Sequence, residues 1–177
     1  MNSVSPLANE GDSSPWMPIA RREIGVSTYA SGQSNPRVTQ YHADTNIAGY
    51  NDKASWCSSF VNWSLAQAGF VGTGSALARS WLDWGEPLIE PVPGCIAVLS
   101  RDDPAGWKGH VGFFLRLDDD HIHLLGGNQL GQVREHFYSK SIVLGYRWPA
   151  GNGLSDCKHQ AANGQVMPGM STAIIMP

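Results

Sequence analysis

Residues 52–63 have the sequence DKASWCSSFVNW, which places a cysteine, Cys57, at the start of a predicted amphipathic helix. One stripe of this helix, at helical spacing, consists of Cys57, Phe60, Val61, Ser64, Leu65 and Ala68, and Gly69 can end it through a left-handed cap. The helix is therefore expected to face a core. Unpaired backbone N–H groups and the helix dipole at its first turn favour the thiolate form of a cysteine.

A histidine follows far downstream in Gly109-His110-Val111-Gly112, at the start of a predicted strand. A thiol at a helix N-terminus and an imidazole on a strand are the two halves of a cysteine-nucleophile site, because the imidazole lowers the pKa of the thiol further. The flanking glycines are expected to clear space around the ring. The alternatives are a buried apolar cysteine and a hydrogen-bonded histidine at a strand edge. The polar neighbours of Cys57 favour the nucleophile, and its backbone N–H could hold an oxyanion.

A histidine that moves protons needs an acceptor for its second ring nitrogen. The candidates are Asn128 and His123, with Gln129 as a third choice. In a regular strand Asn128 shares a face with Leu124, and His123 lies on the other face. Because Gly126-Gly127 permits a bulge, parity does not decide between them.

The order of predicted elements indicates an α+β fold. Helices are predicted over 15–24, 36–42 and 57–68, with a short one near 77–82. After Pro93-Gly94 come five β-rich runs, at 95–99, 111–117, 121–125, 132–137 and 141–147. Strands that follow helices predict helices packed on one face of a roughly five-stranded, meandering antiparallel sheet. The predicted organisation is a flexible arm over 1–14, one domain over 15–149 and an irregular tail over 150–177.

Composition limits the class of protein. The chain has 177 residues, 42% of them hydrophobic and 15% charged, with a net charge of −3, which suits one globular domain. The absence of a long Lys/Arg cluster argues against nucleic acid as a partner. With neither a signal peptide nor a transmembrane run in the sequence, we expect synthesis in the cytoplasm. Three cysteines make a disulfide framework improbable and leave a Cys95–Cys157 pair open.

Two further groups of residues have a structural and a functional interpretation. Residues 118–123 have the sequence DDDHIH, which predicts an acidic hairpin turn more strongly than a zinc site, because no second ligand pair completes the set. No metal or other cofactor is expected. Most of the seven tryptophans are expected in the core, with Trp56, Trp84 and Trp107 the best candidates for an exposed groove that stacks on sugars. Asp52 is expected to hold the loop before the cysteine helix.

The chain resembles the CHAP/NlpC-type cell-wall hydrolases over about 16–149, most closely the compact bacterial and phage subgroup with W-C-S-x-F-V-N and L-G-G-N-Q signatures. The blocks that carry the resemblance are PWM at 15–17, SNPR at 34–37, ASWCSSFVNW at 54–63, ARSWL at 78–82, GHVGF at 109–113 and LGGNQ at 125–129. One departure is Gly94-Cys95, where relatives commonly have Gly-Asp. Cys95 is expected to be a buried strand residue.

The resemblance implies a papain-like core whose thiol attacks an amide of peptidoglycan. It implies Cys57 as nucleophile, His110 as base and then acid, and Asn128 as the residue that orients His110. Trp56, Ser58, Trp107 and Gln129 are expected to contact substrate. The bond could be the one that joins glycan to stem peptide, as in an amidase, or one within the peptides, as in an endopeptidase.

The biological setting and two other functions stay open. Such an enzyme could be a phage lysis protein or an injected antibacterial toxin, which would act in the periplasm or cell wall after delivery, and the toxin would need a cognate inhibitor protein in the producing cell. The alternatives are a binding module on the same fold with an unused thiol, and a zinc hydrolase centred on His121 and His123.

Overall fold

A computed structural model of the protein describes residues 14–151. One six-stranded antiparallel sheet, in the order β1-β6-β2-β3-β4-β5, supports three α-helices. The helices are α1 (Met17–Arg22), α2 (Pro36–Tyr41) and α3 (Cys57–Gln67), and 3₁₀ turns cover His42–Asp44, Ala78–Asp83 and Lys140–Ile142. The strands are β1 (Glu86–Leu88), β2 (Ile96–Ser100), β3 (Gly109–Leu117), β4 (His121–Gln129), β5 (Gln132–Ser139) and β6 (Val143–Trp148).

This architecture confirms the predicted α+β class and adds one strand to the expected five. Strands β2 to β5 form the predicted meander, but β6 returns to pair with β2 instead of β5. The added strand, β1, pairs with β6 at the sheet edge. It contains Pro87, a residue that sheets accept at their edges. Because β1 is only three residues long, its sequence has no alternating pattern from which a strand could be predicted.

Helix α3 lies in the interior, not at the surface that an amphipathic helix would occupy. Every residue from Cys57 to Leu65 is buried, including four polar ones. The sheet side contributes Phe113, whose ring centroid lies 6.2 Å from that of Phe60. The polar side chains find internal partners: Ser64 donates to the Phe60 carbonyl at 2.8 Å, and Asn62 donates to that of Ser58 at 3.0 Å. Because these partners come from the protein itself, the helix can be buried on all sides.

A buried polar cluster fixes the segment that leads into α3. His42 Nδ1 lies 2.8 Å from the Ser59 hydroxyl, and burial holds the pKa of His42 below its ordinary value. Asp52 is buried and its carboxylate accepts the Asn35 N–H at 2.8 Å. This contact confirms the structural role expected for Asp52.

The structure corrects the expected role of the two glycines beside His110. A Cβ on Gly109 would lie 2.8 Å from the Leu99 carbonyl oxygen, and a Cβ on Gly112 would lie 3.0 Å from that of Leu125. Both glycines therefore permit close approach of neighbouring strands, rather than clearing space for the imidazole. Cys95 precedes β2 and is wholly buried, as expected.

Several predictions concern residues that the structure does not describe. The arm over 1–14, apart from Ser14, and nearly all of the tail lie outside the described residues, and so does Cys157. The possible pairing of Cys95 with Cys157 is therefore a prediction still. Between residues 14 and 151, no helix has the length and apolar character needed to cross a membrane.

Gly127→Ala is expected to destabilise the fold. A Cβ there would lie 2.6 Å from the Phe60 Cβ and 2.7 Å from the Trp56 ring, so α3 would have to move away from β4. Overpacking of this kind costs about 1–3 kcal/mol in the free energy of unfolding, measured by urea denaturation. Gly145→Ala is the matched control, because its Cβ would meet only Leu82 Cδ2 at 3.5 Å. Equal stability of the two variants would contradict this packing argument.

Candidate active site

The start of α3 and the start of β3 bring Cys57 and His110 close enough for the imidazole to act on the thiol. Cys57 is 3% exposed, and that burial alone would raise its pKa. The hydrogen bond and charge of His110, with smaller contributions from the Ser55 hydroxyl and the Val111 backbone, outweigh burial and hold the pKa of the Cys57 thiol below its ordinary value. Ser55 Oγ lies 3.8 Å from the Cys57 sulfur. The predicted thiol and imidazole therefore lie together, in the arrangement that a cysteine nucleophile requires.

The second nitrogen of His110 is held by Gln129. His110 Nε2 lies 3.2 Å from Gln129 Oε1. The amide cannot be turned over, because Gln129 Nε2 donates to the backbone carbonyls of Leu124, at 3.3 Å, and Arg134. Its oxygen can only accept, so His110 Nε2 carries a hydrogen and Nδ1 is left with the lone pair that can take a proton from the thiol.

This finding corrects the expectation that Asn128 orients His110. If β4 and β5 paired without interruption, Asn128 would lie opposite Gln132. The register shifts between Gly126 and Gln129, however, so Gln129 is the residue that lies opposite Gln132. The extra residue is a β-bulge, and Asn128 adopts the left-handed conformation within it, with φ of 57°. Asn128 still lines the cavity beside His110. Gln129 is 1% exposed and acts as a positioning residue, rather than the substrate contact that we expected.

Tyr138 on β5 completes the support of His110 and had no signal in the sequence. Its hydroxyl donates to Gln129 Oε1 at 3.0 Å, and its ring centroid lies 5.2 Å from that of His110. Burial and the charge of Cys57 raise the pKa of Tyr138, which therefore stays a neutral donor. Only the pairing of β4 with β5 reveals it, because no recognised motif surrounds it.

His123 lies at the other end of β4 and does not contact His110. Its Nε2 is 2.7 Å from Asp118 Oδ2, and its Nδ1 is 2.9 Å from an Arg116 nitrogen. His121 contacts the same carboxylate at 3.2 Å. These contacts confirm the acidic hairpin turn. Among residues 14–151, no group of three or more His, Cys, Asp or Glu residues could hold a metal ion.

One cavity reaches Cys57 and another reaches His110. The first has a volume of about 260 Å³ and contains Cys57, Ser55, Leu77 and Trp107 in its wall. The second has a volume of about 390 Å³ and is lined by His110, Asn128, His136 and Tyr138, among others. Arg101 lines both cavities. A bound chain could therefore pass the thiol on one side and the imidazole on the other.

Of the other expected substrate contacts, only Trp107 is accessible. It is 72% exposed at the rim of the cavity that contains Cys57. Trp56 and Ser58 are wholly buried: Trp56 lies under Gly127, and the Ser58 hydroxyl donates to the Ser75 carbonyl at 2.6 Å. Trp84 is half-buried and donates to the Val71 carbonyl at 3.0 Å. The expectation that Trp56 and Ser58 touch substrate is therefore wrong for this structure.

The loop between β2 and β3 forms the shared rim of the two cavities, and Arg79 holds it in place. The Arg79 guanidinium donates to the backbone carbonyls of Lys108 at 2.8 Å and of Pro104 and Asp103 at 2.9 Å. Three carbonyls bound by one rigid cation fix the path of the loop. Trp107 and Arg101 are presented from this loop.

The backbone at the start of α3 can stabilise an oxyanion. Trp56 is the N-cap of the helix and provides no side-chain cap. The first-turn N–H groups, that of Cys57 among them, have no partner within the helix, and the helix dipole adds positive potential. A carbonyl oxygen that becomes negative next to the Cys57 sulfur would meet this end of the helix.

Comparison with known protein families gives one match in this part of the chain. Residues 49–128 match the family model of the CHAP domain, and this stretch includes Cys57 and His110. This match supports the resemblance to CHAP/NlpC-type domains that the sequence predicted.

Among solved structures, the chain is similar to a lipoprotein-like protein of the NLP/P60 family from Staphylococcus aureus subsp. aureus Mu50, at 15% sequence identity and a TM-score of 0.46. The match covers 86% of this chain and 45% of the other, so this chain spans less than half of that protein's length. No curated protein matches the chain.

Alkylation of Cys57 by iodoacetamide is expected to show a thiol pKa below the ordinary value. Because the thiolate is the reactive form, the rate should rise with pH through this lowered pKa, and His110→Ala should move the rise to higher pH. Cys95 is the internal control, since burial raises its pKa to about 12 and should leave it unlabelled near neutrality. Peptide mapping by mass spectrometry gives the rate at each site, and an unchanged pH profile in His110→Ala would contradict the pairing.

Gln129→Met is expected to slow alkylation of Cys57 at neutral pH by about tenfold, because His110 Nε2 loses its acceptor and the ring is free to turn. Asn128→Gly is the matched control: it removes the neighbouring side chain and keeps the left-handed backbone. Thermal unfolding of both variants separates a loss of fold from a loss of orientation. A larger effect of Asn128→Gly than of Gln129→Met would restore Asn128 as the orienting residue.

Proposed function

We propose that the protein is a cysteine-dependent peptidoglycan hydrolase that cleaves an amide bond of the bacterial cell wall. The observation that carries the proposal is the series Cys57, His110, Gln129, in which the imidazole acts on the thiol and hydrogen-bonds the amide, within the stretch that matches the CHAP domain. A nucleophile, a base and a residue that orients the base are the parts that amide cleavage through a thioester requires.

In the proposed reaction each group has its own step. His110 Nδ1 takes the thiol proton while the Cys57 sulfur attacks the amide carbonyl, and the negative oxygen faces the first turn of α3. As the C–N bond breaks, His110 returns the proton to the leaving amine, which leaves a thioester on Cys57. His110 then takes a proton from water, which attacks the thioester, releases the acid and restores the thiol. Gln129 holds the His110 ring in place during both the formation and the hydrolysis of the thioester.

The cavities suit an extended substrate of sugars and peptides. Trp107 presents an exposed ring at the rim, and Leu77, 52% exposed, lies beside it in the same cavity. An aromatic face of this kind stacks on a sugar or an apolar side chain. The cleaved bond is that between glycan and stem peptide in an amidase, or one within the peptides in an endopeptidase.

This substrate places the site of action in the periplasm or the cell wall. A phage lysis enzyme and an injected antibacterial effector would both use the same chemistry there. An effector would in addition need an inhibitor protein in the producing cell, and the two cavities around Cys57 are the surface that such an inhibitor would have to block.

Digestion of purified peptidoglycan followed by mass spectrometry tests the proposal. Wild type should release new fragments, and Cys57→Ala and His110→Ala should each lower the rate by about a thousandfold or more. Free stem peptides and intact glycan strands with exposed lactyl groups would identify an amidase, and cut stems or cross-links an endopeptidase. Addition of a chelator should leave the rate unchanged, whereas a zinc hydrolase centred on His121 and His123 would lose activity.

Two results would overturn this function. Identical fragments from wild type and Cys57→Ala would show that the thiol is not the nucleophile. An absence of new fragments, together with a Cys57 thiol that reacts no faster than an ordinary buried one, would favour a binding module on the same fold.

A further inference from the structure

Arg101 is the residue that the walls of the two cavities share. It follows β2 directly, and its backbone N–H donates to the Lys108 carbonyl at 3.3 Å. Its exposed side chain lines the cavity that contains Cys57 and the cavity that contains His110. A group bound by its guanidinium would therefore lie beside the bond that the thiol attacks.

Within residues 14–151 the Arg101 guanidinium makes no ion pair closer than 4.0 Å and no side-chain hydrogen bond, and its charge acts on the adjacent Asp102 carboxylate from a longer distance. Asp102 binds Lys108 Nζ at 3.0 Å, and Asp103 Oδ1 accepts the Ala105 N–H at 2.9 Å. The Arg79 guanidinium, by contrast, donates hydrogen bonds to three backbone carbonyls of the same loop. Arg101 is thus held by the loop through its backbone, while its side chain is left to a ligand.

The two cavities offer positive charge to that ligand. The ionisable residues in their walls are Arg101, Asp102, Lys108, Cys57, His110, His136 and Tyr138, and Asp102, the one carboxylate among them, is paired with Lys108. Much of the remaining wall near Arg101 is apolar, with Leu99, Pro104, Leu130 and Ile142.

We propose that Arg101 binds a free carboxylate of the substrate next to the scissile amide, and so selects stem peptides whose carboxylates are not amidated. This proposal rests on the proposed function. A planar guanidinium with its donors in a fork matches a carboxylate with two parallel hydrogen bonds, and amidation would replace one acceptor oxygen with a donor and remove the charge.

Binding to an inactive enzyme tests the proposal without any need for turnover. Two synthetic stem tetrapeptides, one with free side-chain and α-carboxylates and one with these groups amidated, are titrated into Cys57→Ala and followed by NMR. We expect the free peptide to bind about tenfold more tightly or better, as for a hydrogen-bonded ion pair. Arg101→Gln in the same background should remove this preference, and Arg101→Lys should keep only part of it. Added salt should weaken the preference.

Arg22→Gln is the matched control, since it removes the same charge from an exposed site at the end of α1 that lines neither cavity. It should keep the full preference. Equal binding of the two peptides, binding of neither, or a preference that survives Arg101→Gln would overturn the proposal. A preference that depends on Arg101, in a protein whose wild type cleaves nothing, would support the subsite and refute the hydrolase, so the two failures are distinguishable.

Discussion

The active-site geometry depends on the side-chain amide of Gln129. Its oxygen accepts from His110 and Tyr138, and its nitrogen donates to the backbone carbonyls of Leu124 on β4 and Arg134 on β5. All four hydrogen-bonding positions of this buried amide are used, which prevents the amide from turning over. One side chain thus joins β4, β5 and the imidazole, and it determines which nitrogen of His110 faces the thiol.

Cys57 and Cys95, which are both buried, show how neighbouring groups change the pKa of a buried thiol. Cys95 and Cys57 are 0% and 3% exposed, and burial disfavours the thiolate at both. The pKa of Cys95 is raised to about 12, because little opposes that burial. At Cys57 the imidazole of His110 reverses the direction, assisted by Ser55 and the Val111 backbone. Reactivity therefore depends on the pairing with His110, and His110 in turn depends on Gln129.

The sequence was sufficient to predict the residues of the candidate site that lie on regular helices and strands. Cys57 begins a helix and His110 begins a strand, and both patterns are local. The third residue was not predictable by parity, because the bulge at Gly126-Gly127 adds one residue to β4 and exchanges Asn128 for Gln129. Glycines permit such a bulge but do not require it. The position of Tyr138 next to Gln129 depends on the pairing of β4 with β5. The burial of Trp56 and Ser58 depends on how α3 is enclosed. Neither could be predicted from a local sequence pattern.

The groups proposed for the chemistry and those proposed for recognition of substrate belong to separate parts of the fold. Cys57, His110 and Gln129 belong to a helix and two central strands, whose positions are fixed by the core. Trp107 and Arg101 belong to the loop between β2 and β3, which is tied to the 3₁₀ turn at Ala78–Asp83 through Arg79. This explains the ARSWL block, in which Trp81 packs in the core and Arg79 reaches outward to the loop. A change of residue along the loop can alter which groups the cavities accept without moving the thiol or the imidazole, because the carbonyls that Arg79 binds belong to the backbone.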